Sequence, residues 1–97
     1  LANESFMSAK ILKLDGVLNI ARVETLHSEF EELEKDSAPL NIDVSNVTRV
    51  DTSVLQLFVA LFTSMSASGV ELTWSGVSDE FKAAAALLGV TGLLKLN

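Results

Sequence analysis

The hydrophobic period of the chain changes repeatedly, and each change predicts an element. In AKILKLDGVLNI two short apolar runs flank Asp15-Gly16, the dipeptide that best supplies the positive φ angles of a tight turn. The segment therefore predicts an antiparallel hairpin that ends at Asn19 or Ile20. From Ala21 the spacing becomes helical: Val23, Leu26, Phe30 and Leu33 share a face, the acids take the other side, and Asn19 is the candidate cap. Pro39 cannot continue that helix, and Leu40 to Val44 alternates as a strand does before a loop at Ser45-Asn46. Beyond VTRV, helical spacing returns from Val54 to Met65 and stops at Gly69. VELTW is the next strand. Ser78, Asp79 and Glu80 then make a helix start, Phe81, Ala84, Ala85 and Leu88 a buried stripe, and Gly89 a stop. The final GLLKL fits a short strand and a further helical turn equally well.

Hairpin, helix, strand, helix, strand, helix predicts one α/β domain over residues 1–97. Its sheet is expected to be mixed: right-handed crossovers give a parallel section, and the hairpin adds an antiparallel strand. At 48% hydrophobic residues the chain can fill a core, and with no cysteine it has neither disulfides nor thiolate metal sites. A formal charge of −6, concentrated in Glu24, Glu29, Glu31, Glu32, Glu34 and Asp36, argues against nucleic acid and anionic membrane surfaces as partners. The apolar runs are too short to span a bilayer, and the opening LANES lacks the charged and apolar regions of a signal peptide. A soluble cytoplasmic protein is expected, with Leu1 suggesting a trimmed start.

Catalytic signatures are sparse. The single histidine, His27, lies among glutamates on the charged helix, the setting of a solvated residue. No glycine belongs to a phosphate-cradling loop. Trp74 sits where an aromatic ring covers a sheet face. Asp43 and Asp51 are more suggestive, because both fall near the carboxyl ends of predicted strands, where α/β sheets bind ligands and partners. The apolar residues of the second helix, from Val54 to Met65, span an arc of roughly 200°, wide enough to leave one flank as a docking patch. At its start Asp51, Thr52 and Ser53 offer three capping oxygens where one suffices. Asp51 is the expected cap or strand-end anchor, and Ser53 can form an S-x-x-Q box with Gln56, which leaves the Thr52 hydroxyl unspent.

LNIDVSNVTRVDTSVLQL, followed by an amphipathic helix, a glycine, a strand and a helix ending LLGVTGLL, resembles a STAS domain, the fold of bacterial anti-sigma-factor antagonists. The resemblance runs from Asp15-Gly16 onward and is best from Asp43-Val44-Ser45 to Leu55. It implies a mixed sheet with helices and a non-enzymatic activity, and the residues themselves lead to the expectation of no cofactor or metal. It also implies a regulatory role in which the domain binds an anti-sigma factor or signalling kinase and is released by phosphorylation. The phosphorylated position of the family falls on Thr52, with Ser53 as second choice, and the partner-binding residues on Asn19, Asp43, Ser45, Asp51, Ser53, Val54, Leu55 and Leu57. SNVTRVDT equally resembles the branch that serves as the cytoplasmic subunit of phospholipid-transport ABC systems, where the partner is an ABC ATPase; other relatives accompany chemotaxis-type kinases. Two positions depart from the family: Val54 stands where glycine is usual, and Asn19 where an acid is usual. A β-branched residue adds bulk at the start of the helix, and the loss of an acid removes charge from the expected interaction edge.

Overall fold

Val44, Val47 and Val50 lie three residues apart, a spacing that belongs to neither a regular strand nor a helix. In the computed structural model, which describes residues 9–96, all three point into the core from one continuous strand. That strand is β2 (Leu40–Val50), flanked by β1 (Lys10–Leu18) and β3 (Leu72–Val77) in the order β1-β2-β3, with every pairing parallel among the described residues. β2 uses eleven residues where β1 uses nine, and two register shifts absorb the difference. Each shift inserts an extra residue into β2, so its inward positions come every third residue after Val44 instead of every second.

The single α/β domain stands, and two expectations within it are corrected. Asp15-Gly16 forms no hairpin: β1 runs through it, and the positive φ of Gly16, +74°, falls at the second register shift, opposite the extra residue of β2. The sheet described is consequently parallel, not mixed. Ser45-Asn46 is likewise strand, not loop. The polar opening segment LANES lies outside the described residues.

Helices α1 (Val23–Asp36), α2 (Thr52–Ala67) and α3 (Asp79–Leu88) share one core with the inward faces of the strands. A 3-10 turn, Ile20–Arg22, leads into α1 and is capped by the Asn19 Oδ1, which accepts from the Ala21 N–H at 3.1 Å. Ser78 Oγ caps α3 by accepting from the Phe81 N–H at 3.1 Å, and Gly89 ends it in the left-handed region at φ +81°. Residues 91–95 wind as turns and not as a strand, because the Leu94 N–H donates to Val90 O and the Leu96 N–H to Thr91 O, each at 3.0 Å. Trp74 pins this segment by donating from Nε1 to Leu94 O at 2.7 Å. A half-buried packing role therefore accounts for its ring.

Phe58 of α2 is the hub of the core. Its ring meets Phe30 of α1 edge-on at 5.1 Å, Phe81 of α3 edge-on at 5.4 Å and Trp74 of β3 at 5.9 Å, so one side chain contacts three elements. The wide apolar arc of α2 is consumed in the same way: Val54, Leu55, Phe58, Leu61, Phe62 and Met65 are buried, and Leu57 and Val59 pack against the core half-buried. Phe58→Ala is expected to cost about 3–5 kcal/mol. That is a large share of the ~5–15 kcal/mol typical of a domain this size. Urea unfolding followed through the sole tryptophan, Trp74, measures it, and a loss below about 1 kcal/mol would contradict the hub assignment.

Candidate functional site

The first turn of α2 has three adjacent side-chain oxygens, and none of them caps it. Asp51 occupies the N-cap position with extended backbone, but its carboxylate makes no cap hydrogen bond and lies 3.5 Å from Arg49 Nε instead. Ser53 Oγ is buried without any hydrogen-bond partner, so the box with exposed Gln56 does not form. Thr52 is exposed. Thr52 is thus the exposed member of the three, and the expected roles of its two neighbours are revised.

The sheet brings Asn19 to the same edge, because the Asp51 N–H donates to Leu18 O at 2.9 Å and so continues the β1–β2 ladder past Val50. Asn19 uses its side chain as the cap described above. Leu55 is buried and Leu57 half-buried. Val54 is fully buried, so its side chain offers no surface to a partner. The bulk that replaces the usual glycine is directed inward, away from any approaching chain.

Asp43 and Ser45 form a separate cluster, earlier along β2 and on the sheet face turned away from the helices. Asp43 Oδ1 accepts from the Ser45 N–H at 2.9 Å and from Ser45 Oγ at 2.6 Å, while Lys13 Nζ lies 3.6 Å from Oδ2 and 3.5 Å from Asp15 Oδ1. The hydroxyl of Ser45, then its N–H, hold the Asp43 carboxyl below the usual carboxylate range; the nearby Lys13 charge adds to this and partial desolvation opposes it.

Beside Thr52 a cleft of about 160 Å³ opens between the end of β2 and α3, lined by Val50, Thr52, Leu55, Ala84, Leu87 and Leu88. Leu87 is 92% exposed, a large apolar side chain standing almost free on its rim. The α3 wall is the part that sequence reasoning missed. The spacing places Ala84 and Leu88 in a buried stripe, and the available signal is Leu87, an apolar residue outside the stripe of Phe81, Ala84, Ala85 and Leu88. Among the described residues no cluster of His, Cys, Asp or Glu could hold a metal ion, and no helix is long and apolar enough to cross a membrane. The arrangement offers an apolar recess, an unengaged hydroxyl at a helix start and no catalytic constellation.

A family model described as "Mlab, STAS domain" matches residues 4–95. No curated protein matches the chain. Among solved structures, one titled "Crystal Structure Analysis of Mglu" superposes with a TM-score of 0.60 at 18% identity over 71% of this chain. The match spans 17% of that chain, and at this identity the likeness concerns the fold alone.

Two measurements follow from this geometry. Ser53→Ala removes a buried hydroxyl that has no partner, so thermal unfolding is expected to show unchanged or higher stability, by up to about 1 kcal/mol. A clear loss would mean that the hydroxyl is engaged. For Asp43 the folded pKa lies below the ordinary 3.8, so its contribution to stability is present above that pH and is lost as pH falls through the lower folded value. Carbon-13 titration of the Asp43 carboxyl should give a midpoint below 3.8, and Asp43→Asn should remove this component of the acid dependence. A midpoint at or above the ordinary value would contradict the two Ser45 hydrogen bonds.

Proposed function

The chain belongs to the STAS domain family, and from that premise we propose that it is a protein-docking module whose binding face is the cleft between the start of α2 and α3, controlled at Thr52. STAS domains are in general regulatory or binding modules without enzymatic activity, and they act through protein partners. The observation that carries the finer reading is the juxtaposition of an exposed, unengaged Thr52 with the apolar rim at Leu87. A partner seated there would bury Leu87 and desolvate Thr52 together, so one modification could govern the whole contact.

Phosphorylation of Thr52 would add roughly −1.5 to −2 charge at a helix start, where the dipole and free N–H groups favour an anion. The domain itself should tolerate that charge. A docked partner should not, since the phosphate would have to be desolvated beside Asp51 and against apolar Leu55, Leu87 and Leu88. On this reading the partner is an anti-sigma factor or signalling kinase, and the protein works in the cytoplasm as a phosphorylation-controlled regulator. Ser53 is the poorer acceptor, because its hydroxyl is buried.

A second reading, permanent docking to the ATPase of a phospholipid-transport ABC system, is favoured by the exposure of Leu87. Obligate interfaces are more apolar than transient ones, and a freely dissociating regulator would leave this leucine in water for much of its life. Co-purification followed by identification separates the two: a signalling kinase or anti-sigma factor supports the switch, and an ATP-binding-cassette protein supports the subunit.

Thr52→Asp is expected to weaken the identified complex about 100-fold, equivalent to ~3 kcal/mol, with thermal stability nearly unchanged. Kinase and ATP treatment followed by mass spectrometry should place phosphate on Thr52. Intact binding by Thr52→Asp, or phosphate on another residue, would overturn the switch.

A further inference from the structure

Both walls of the cleft start from one place in the sheet. β2 and β3 stay paired from Leu40 and Leu72 to Val44 and Val77, and then they part. β2 continues to Val50, Thr52 and Leu55, which form one wall; β3 turns at Ser78 into α3, whose Ala84, Leu87 and Leu88 form the other. Asp43 stands at the parting. The ladder shifts register on both sides of it, between Ile42 and Asp43 against β3, and between the pairs Lys13–Asp43 and Asp15–Asn46 against β1.

Three residues hold this point. Asp43 Oδ1 takes both donors of Ser45, at 2.9 and 2.6 Å, and so closes β2 over Val44. Gly76 lies opposite, and a Cβ there would meet Asp43 Oδ1 and Ser45 Cβ at 3.0 Å each, so the clamp occupies the volume that any other residue would fill. Val44, enclosed by the clamp, accepts at its carbonyl from the Ser78 N–H at 3.3 Å, and Ser78 Oγ in turn accepts from the Phe81 N–H. Three hydrogen-bonded links, joined through the Val44–Ser45 peptide and through Ser78, thus run from Asp43 to the first turn of α3, and the same clamp lies where β2 leaves β3 toward Thr52.

We infer that Asp43, Ser45 and Gly76 are positioning residues that set the width of the docking cleft from the far side of the sheet. They take no part in the contact itself. The inference rests on the docking reading for the use of the cleft, not for its geometry. The property required of residue 43 is an acceptor oxygen for Ser45, so an amide should serve where a methyl does not.

The test needs no partner. In the isotope-labelled protein, nuclear Overhauser contacts between the methyl groups of Val50 and Leu55 on one wall and Leu87 and Leu88 on the other report the width, and amide exchange at Phe81 reports the α3 cap. Asp43→Ala and Gly76→Ala should weaken the cross-cleft contacts and speed Phe81 exchange roughly tenfold, the scale of one lost cap. Asp43→Asn should restore both, and Ser45→Ala should fall between. Leu33→Ala, on α1, should lower stability without moving the cleft signals. Unchanged cleft contacts in a folded Asp43→Ala, or an Asp43→Asn no better than alanine, would overturn the inference. If Asp43→Ala and Gly76→Ala fail to fold, Ser45→Ala decides by the same signals. Failure of the Thr52 switch would show only in partner binding, so the two outcomes are separable.

Discussion

The central strand β2 keeps its ladder with β1 to the end, at Leu18 and Val50, but keeps its ladder with β3 only as far as Val44. Paired strands lie about 4.8 Å apart, whereas packed layers sit about 10 Å apart. Where β3 gives way to α3, the neighbour of β2 therefore steps from strand spacing to layer spacing, and the gap closes only where side chains such as Phe81 and Ala85 fill it. The cleft at Val50, Leu55 and Leu87 is the geometric remainder of that substitution of a helix for a strand. It needs no special loop or lid, only a central strand longer than the strand beside it.

The same inequality separates stability from recognition. The inner arc of α2 is committed to the core through Phe58 and its aromatic neighbours, and Trp74 ties the segment after α3 back to β3. The outward positions of α2, among them Thr52, Gln56, Ala60 and Thr63, carry no charge, in contrast to the row of glutamates on α1. Changes at the outer face can alter binding with little consequence for folding, because the buried side chains lie on the opposite arc of the helix. The regulation proposed at Thr52 would leave the core intact for that reason.

Most elements were legible from periodicity, and the misreadings share one cause. Asp15-Gly16 signals a positive φ, which a strand accommodates at a register shift as readily as a hairpin turn does. Ser45-Asn46 interrupts the alternation of β2 because bulges move its inward positions to every third residue, a pattern that polar spacing alone makes indistinguishable from a loop. Local sequence specifies the backbone angle or the polarity, while the choice between turn and bulge depends on the neighbouring strand. At the site, Thr52 was legible as a surplus hydroxyl. The α3 wall was not, because its place opposite Thr52 depends on where β3 ends.

Thr52 and Ser53 carry the same chemistry one residue apart, and the fold gives them opposite fates. A turn of ~100° per residue takes the second hydroxyl from solvent into the packed side of α2, where it finds no partner, and the next step takes Val54 fully into the core. A glycine at Val54 would remove core volume there and open no surface, so the departure from the family pattern bears on packing and not on access to Thr52. The loss of the acid at Asn19 has the same character: its amide oxygen still caps the turn into α1, and the charge that is missing would have stood beside Asp51, where like charges repel. Neither departure obstructs the edge at Thr52: the added bulk of Val54 lies in the core, and Asn19 leaves that edge less negative than an acid would.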